Sequence, residues 1–173
     1  MIQHNGMRPH DIVVLLKIII THDEWMNKNL SLSLGISPAE IGNSLQRSML
    51  AGLIDSSKKR VMRNALLDFI HFGLPFVFPA IKGPAARGIP TGYAAPIMSD
   101  YFMTNEQIVW AHLKGTARGE TISPLYPNAV EAALNDRQLY DLLALLDVMR
   151  LGKVREREIA MKLLKQIFDG THT

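Results

Sequence analysis

The chain has 173 residues, 47% hydrophobic and 20% charged, with a formal net charge of +3. That is one ordinary domain, or a small domain with an appendage, and it is too apolar for a disordered chain. The absence of cysteine excludes disulfide scaffolds, Cys-containing zinc sites, iron–sulfur clusters and thiol catalysis.

Residues 1–6 read as a frayed tail, with Met7 an alternative start. Residues 8–21 place Ile12, Leu15, Leu16 and Ile19 at helical spacing, and Pro9 suits the first turn. The apolar run 12–20 is broken by Lys17, is too short to span a bilayer and is followed by no cleavage site, so a cytoplasmic protein is expected. A short second helix, residues 27–34, is buried through Leu30 and Leu34 and stops at Gly35. Ser37, Pro38 and Glu40 then open a third helix: a cap, a first-turn proline and a partner for a capping box. That helix runs to about Ala51 and ends at Gly52. Residues 53–55 and 60–62 read as two short strands around the polar, basic turn Ser56-Ser57-Lys58-Lys59.

Further on, Asn64 caps a fourth helix, residues 65–72, and residues 74–78 read as extended. Four prolines and three glycines between residues 79 and 96 predict a long loop or linker. Residues 108–110 and 120–122 are candidate strands that pair with each other. The rest is helical, over residues 130–134, 137–151 and 154–168, with Gly152 breaking the last two into a hairpin. The class expected is mainly α (α+β). Its parts are an N-terminal domain over residues 1–78, a Pro/Gly-rich connection with short strands over 79–128, and a C-terminal helical region over 129–173.

Charge is unevenly placed. Residues 1–63 hold eight Lys/Arg against five Asp/Glu, while the remainder holds eleven of each. The whole positive surplus therefore lies in the first third and points to a polyanion. On the third helix Ile41, Leu45 and Met49 form an inner face bordered by Ser48. Ala39, Asn43, Gln46 and Arg47 form an outer face with no aliphatic residue before Leu50, which the strand pair is expected to cover. Asn and Gln can pair bidentately with adenine, and Arg with guanine or phosphate.

Helix, short helix, Gly-containing turn, capped helix and a strand pair with a basic tip make the order of a winged helix-turn-helix. Residues 8 to about 72 resemble the winged-helix bacterial transcription regulators, broadly MarR-like. The residues that carry this are Leu34-Gly35-Ile36-Ser37-Pro38-Ala39-Glu40-Ile41, Leu45-Gln46-Arg47 and Ala51-Gly52-Leu53-Ile54. Asn43 stands where that family commonly has a basic residue. The resemblance implies a regulator that binds double-stranded DNA, most simply a repressor, through Ser37, Ala39, Asn43, Gln46 and Arg47 on the helix and Lys58, Lys59 and Arg60 at the tip. It also permits an antitoxin or phage-defence role.

Two-fold pairing suits such a reader, because two half-sites one turn apart add specificity. The leucines of the C-terminal hairpin are the expected homodimer surface. A protein-interaction module is the alternative function, and an enzyme built on residues 79–128 a weaker third. A small-molecule effector or protein partner would release the DNA.

Other motifs carry less. Residues 83–88 have the outer spacing of a phosphate loop but lack its Lys and Ser/Thr, which leaves Arg87, Gly88 and Thr91 as a brace, an anion or ligand loop, or a DNA contact through Arg87. The six histidines show no metal-binding spacing, so no metal, cofactor or catalytic group is expected. Arg150, Lys153, Arg155 and Arg157, interleaved with Glu156 and Glu158, read as a solvated helix face or else as a phosphate or partner contact.

Overall fold

The computed structural model describes residues 6–171. His4, His172 and nearly all of the expected N-terminal tail lie outside that range. The class is mixed α and β, with eight helices and a three-stranded sheet among the described residues. The chain divides into two compact units, one running to Leu66 and the other beginning at Leu67, a boundary inside the fourth helix.

The first unit is built on α1 (Pro9–Ile20), α2 (Asn27–Leu34) and α3 (Pro38–Leu50), which pack on one another. Ile12, Leu15 and Leu16 of α1, Leu30 and Leu34 of α2, and Ile41 and Leu45 of α3 form its core. Gly35 ends α2 at φ +64°, in the left-handed region where a Cβ is costly, and so sets the turn into α3. Ser37 Oγ accepts the Glu40 N–H at 3.2 Å, which caps α3. The other half of the expected capping box does not form, because the Glu40 carboxylate is engaged elsewhere.

The expected strand pair is smaller than its sequence suggests. Only Ile54 and Val61 form a bridge, extended by Asp55 N–H donating to Arg60 O and Met62 N–H donating to Leu53 O, each 2.9 Å. Asp55 organises the turn: its Oδ1 accepts the amides of Lys59 and Arg60, both at 3.0 Å. These amides, with the Ser57 hydroxyl, hold its carboxyl below the ordinary carboxylate range. With α3 ending at Leu50 and α4 starting at Arg63, little chain remains on either side of this turn for longer strands.

α4 (Arg63–Phe72) starts before Asn64, so Asn64 lies inside the helix instead of capping it. Residues 74–78, expected extended, hold the short helix α5 (Leu74–Val77), with Pro75 in its first turn.

The stretch of residues 79–96 read as a loop or linker supplies the first strand of the second unit's sheet, and the expected strands at 108–110 and 120–122 supply the other two. β1 (Lys82–Pro90) pairs antiparallel with both β2 (Ile108–Ala111) and β3 (Ala117–Ile122), and β2 pairs parallel with β3 to close a three-stranded barrel. Its prolines sit where strands tolerate them, Pro84 at a register shift and Pro90 at the strand end. Its glycines let backbones touch: a Cβ on Gly88 would lie 2.0 Å from Trp110 O, and one on Gly119 2.3 Å from Gln107 O. Two 3₁₀ turns (Gly92–Ala94, Pro96–Met98) follow β1.

α6 (Ala129–Asn135), α7 (Arg137–Leu151) and α8 (Val154–Phe168) complete this unit. Residues 79–128 thus belong to the same compact unit as the C-terminal helices. α7 is its axis, buried at every position from Leu142 to Met149.

Candidate nucleic-acid interface

The N-terminal half of α3 presents a small polar surface. Ser37, Ala39, Asn43 and Gln46 are exposed, on the side opposite the buried Ile41 and Leu45. Asn43 Nδ2 donates to Glu40 Oε2 at 3.3 Å, which fixes its amide. Leu50 is 70% exposed, so the bridge does not cover it as expected.

Arg47 is the main departure. Helical spacing placed it outward, yet the residue is only 7% exposed. Its Nε and Nη2 donate to Asp11 Oδ2 and Oδ1 at 2.8 and 2.7 Å, a bidentate pair across α1 and α3, and Nη2 also reaches Glu40 Oε1 at 2.5 Å. Arg47 lies next to the outer face, and its long stem lets it turn inward toward a fully buried carboxylate. Asp11 in addition accepts the Arg8 N–H at 2.8 Å, at the start of α1.

His10 Nε2 lies 2.8 Å from Glu40 Oε1, which fits a ring N–H donating to the carboxylate, so its 3.3 Å approach to Arg47 Nη2 is proximity only. Burial works to raise the Glu40 carboxyl, but hydrogen bonds from Arg47, His10 and Asn43 outweigh it and hold it at about 2. The Asp11 hydrogen bond, against desolvation and with help from Glu40, raises the Arg47 guanidinium above its already high ordinary value. His10, Asp11 and Glu40 place ligand atoms within 4.8 Å of one another, as a cation site would. The Arg47 guanidinium already supplies positive charge to both carboxylates.

At the basic turn, Lys58 is half-buried with φ +58°, so its role there is largely in the backbone turn. Lys59 and Arg60 are exposed, and Lys59 Nζ stands 4.5 Å from the centre of the Trp25 ring. A groove of about 880 Å³ opens beside them, lined by Ile18, Trp25, Met26 and Val61 together with these two cations. Of the residues expected at an interface, Ser37, Ala39, Asn43, Gln46, Lys59 and Arg60 are accessible, whereas Arg47 and Lys58 have structural work.

The second unit alters the remaining expectations. Arg87 is exposed, and its Nε donates to Gly115 O at 2.8 Å. Gly88 is buried in the barrel and Thr91 is 0% exposed, its hydroxyl donating to Asp147 Oδ2 at 2.7 Å. These positions belong to a strand and its buried end, so they do not make an open anion loop.

Trp110 Nε1 donates to the same Asp147 oxygen at 2.8 Å, and Arg150 Nη1 to Oδ1 at 2.8 Å. Burial pushes the Asp147 carboxyl up, while Arg150 and the two neutral donors pull the other way. Arg150 also donates to the carbonyls of Phe78, Pro79 and Ser123, so it is an internal tie and not part of a solvated face. Arg157 likewise donates to His71 O at 3.1 Å.

The sequence reading missed the buried carboxylates Asp11 and Asp147, and Glu156, read as part of a solvated face, is buried as well. The available signal was a lone Asp within an apolar helical run, at Asp11 and at Asp147. Comparison with known protein families, curated proteins and solved structures gives no match. No helix among the described residues is long and apolar enough to cross a membrane.

Proposed function

We propose that the first unit is a winged helix-turn-helix that binds double-stranded DNA, and that the chain acts as a homodimeric, sequence-specific transcriptional regulator, most simply a repressor. The observation that carries this reading is the accessible α3 surface of Ala39, Asn43 and Gln46, with Ser37 at its capped N-terminus and Lys59 and Arg60 on the following turn. An α3 seated in a major groove would aim Asn43 and Gln46 at base edges, and the turn would meet phosphates. Arg47 has no place among the base readers, since its guanidinium is paired with Asp11 and Glu40. An effector in the groove beside Trp25 would act directly on the turn that carries Lys59.

The test is selection of bound duplexes from a random pool, followed by titration at two salt concentrations. A palindromic winner is expected. Gln46→Ala should weaken the selected duplex more than random DNA, and Lys59→Gln with Arg60→Gln should weaken both alike and lower the salt slope by about 0.9 per lost phosphate contact. Affinity that is indifferent to all three changes would remove the proposal. A protein-interaction module is the second reading, favoured by Leu32 and Leu50, which are 77% and 70% exposed. It predicts no salt-dependent duplex binding at all.

A further inference from the structure

The β1–β3 ladder of the barrel carries an arrangement that folding alone does not favour. In the antiparallel β1–β3 ladder Arg87 stands directly opposite Arg118. Directly opposed residues project to the same side with Cβ atoms about 5 Å apart, and like charges placed so are destabilising. Both arginines are exposed, and neither has an ion-pair partner among the described residues. The nearest carboxylate on that face, Glu120, stands opposite Ala85 and is taken by Lys82 at 2.9 Å. The face therefore carries two uncompensated positive charges side by side.

Each guanidinium is also braced. Arg87 Nε donates to Gly115 O at 2.8 Å, and Arg118 Nη2 makes a longer 3.5 Å contact to Ala85 O. By strand alternation Ala85 and Glu120 share the face of the two arginines, while Ala86, Ala117 and Gly119 point to the other side. Guanidinium forks match phosphate oxygens in geometry and charge.

We infer that Arg87 and Arg118 form a phosphate-binding pair and that its occupant is a nucleic-acid backbone. An open, hydrated pair holds a small anion weakly, because water and salt screen it. A polyanion instead gains from counterion release at each neutralised phosphate, and Lys82, paired with Glu120 on the same ladder, leaves the two arginines as the uncompensated charges. The pair lies in the second unit, separate from the α3 surface, and rests on the proposed function only for the choice of duplex DNA as probe.

The experiment uses the full chain and a labelled random duplex, with affinity followed over a salt series. Arg87→Gln with Arg118→Gln should lower the slope of log affinity against log salt by about 2, near 0.9 per contact, while Arg118→Lys leaves it nearly unchanged. Because Arg87 also braces the barrel, Arg118→Gln alone supplies a second measurement, with a fall of about 0.9. A slope unchanged in these variants but reduced in Lys59→Gln with Arg60→Gln overturns the inference and leaves the proposed function standing. A slope reduced only by the barrel variants supports the inference and removes the α3 reading. Slopes unchanged in both sets overturn both.

Discussion

Arg47 and Glu40 show how one side chain can change the meaning of a surface. Arg47→Ala leaves Asp11 buried and unpaired, and a buried pair broken on one side costs about 3–5 kcal/mol. Urea unfolding should show a loss of that size, and a loss below about 1 kcal/mol would contradict the buried pairing. DNA affinity lost in this variant would report misfolding more than base contact. Glu40 makes a pH prediction. Its carboxyl is held at about 2, below its ordinary value near 4.5. The stability it contributes is then fully present above the ordinary value and is lost as pH falls toward 2. Glu40→Gln should be less stable near neutrality and should flatten the acid limb of the unfolding profile between those two values. An acid limb identical in wild type and variant would show that the ion cluster does not form in solution.

Two glycines separate helix needs from barrel needs. A Cβ on Gly42, within α3, would meet nothing nearer than Asn27 Nδ2 at 3.9 Å. Gly42→Ala should therefore raise thermal stability, by up to about 1 kcal/mol, since glycine is poor in a helix interior. Gly88→Ala should do the opposite, because its Cβ would fall 2.0 Å from Trp110 O, a backbone atom that cannot step aside. Loss of the folded second unit, read by near-ultraviolet circular dichroism of the tryptophans, is the expected result. The same close approach explains why a Gly/Ala/Pro-rich segment, which reads as a linker, folds as strands. Small residues there are a condition of contact between backbones.

For each unit as a whole, a buried carboxylate ties distant segments together. Asp147 joins Thr91 at the end of β1, Trp110 on β2 and Arg150 on its own helix. Asp147→Ala should cost the second unit about 3–5 kcal/mol by stranding Arg150, whose side chain is 4% exposed. Thr91→Val removes one neutral donor and should cost about 1–3 kcal/mol, measured by the same denaturant series. α7 bears on assembly as well. The leucines expected to pair two copies are buried within their own unit, Leu139, Leu142, Leu145 and Leu146 all at 0% exposure. Substituting them would test folding, so the homodimer proposal rests on sedimentation of the intact chain and not on those positions.

Apart from α5 and the start of α4, helix positions were legible from the sequence because they depend on local chemistry: apolar spacing, a left-handed glycine at residue 35 and a serine cap at residue 37 act within a few residues of themselves. The α2, α7 and α8 boundaries follow from such signals alone. The pairing of residues 108–110 with 120–122 was legible, but the inward turn of Arg47, the strand β1 that closes the barrel and the Asp147 knot came only from the tertiary structure. Each depends on partners distant in the chain (Asp11 for Arg47, β2 and β3 for β1, Thr91 and Trp110 for Asp147), and the energy of such a contact depends on burial and on which partner arrives. Periodicity could place Arg47 beside the outer face of its helix; only the neighbouring α1, with Asp11 already out of water, decided that the guanidinium would fold back.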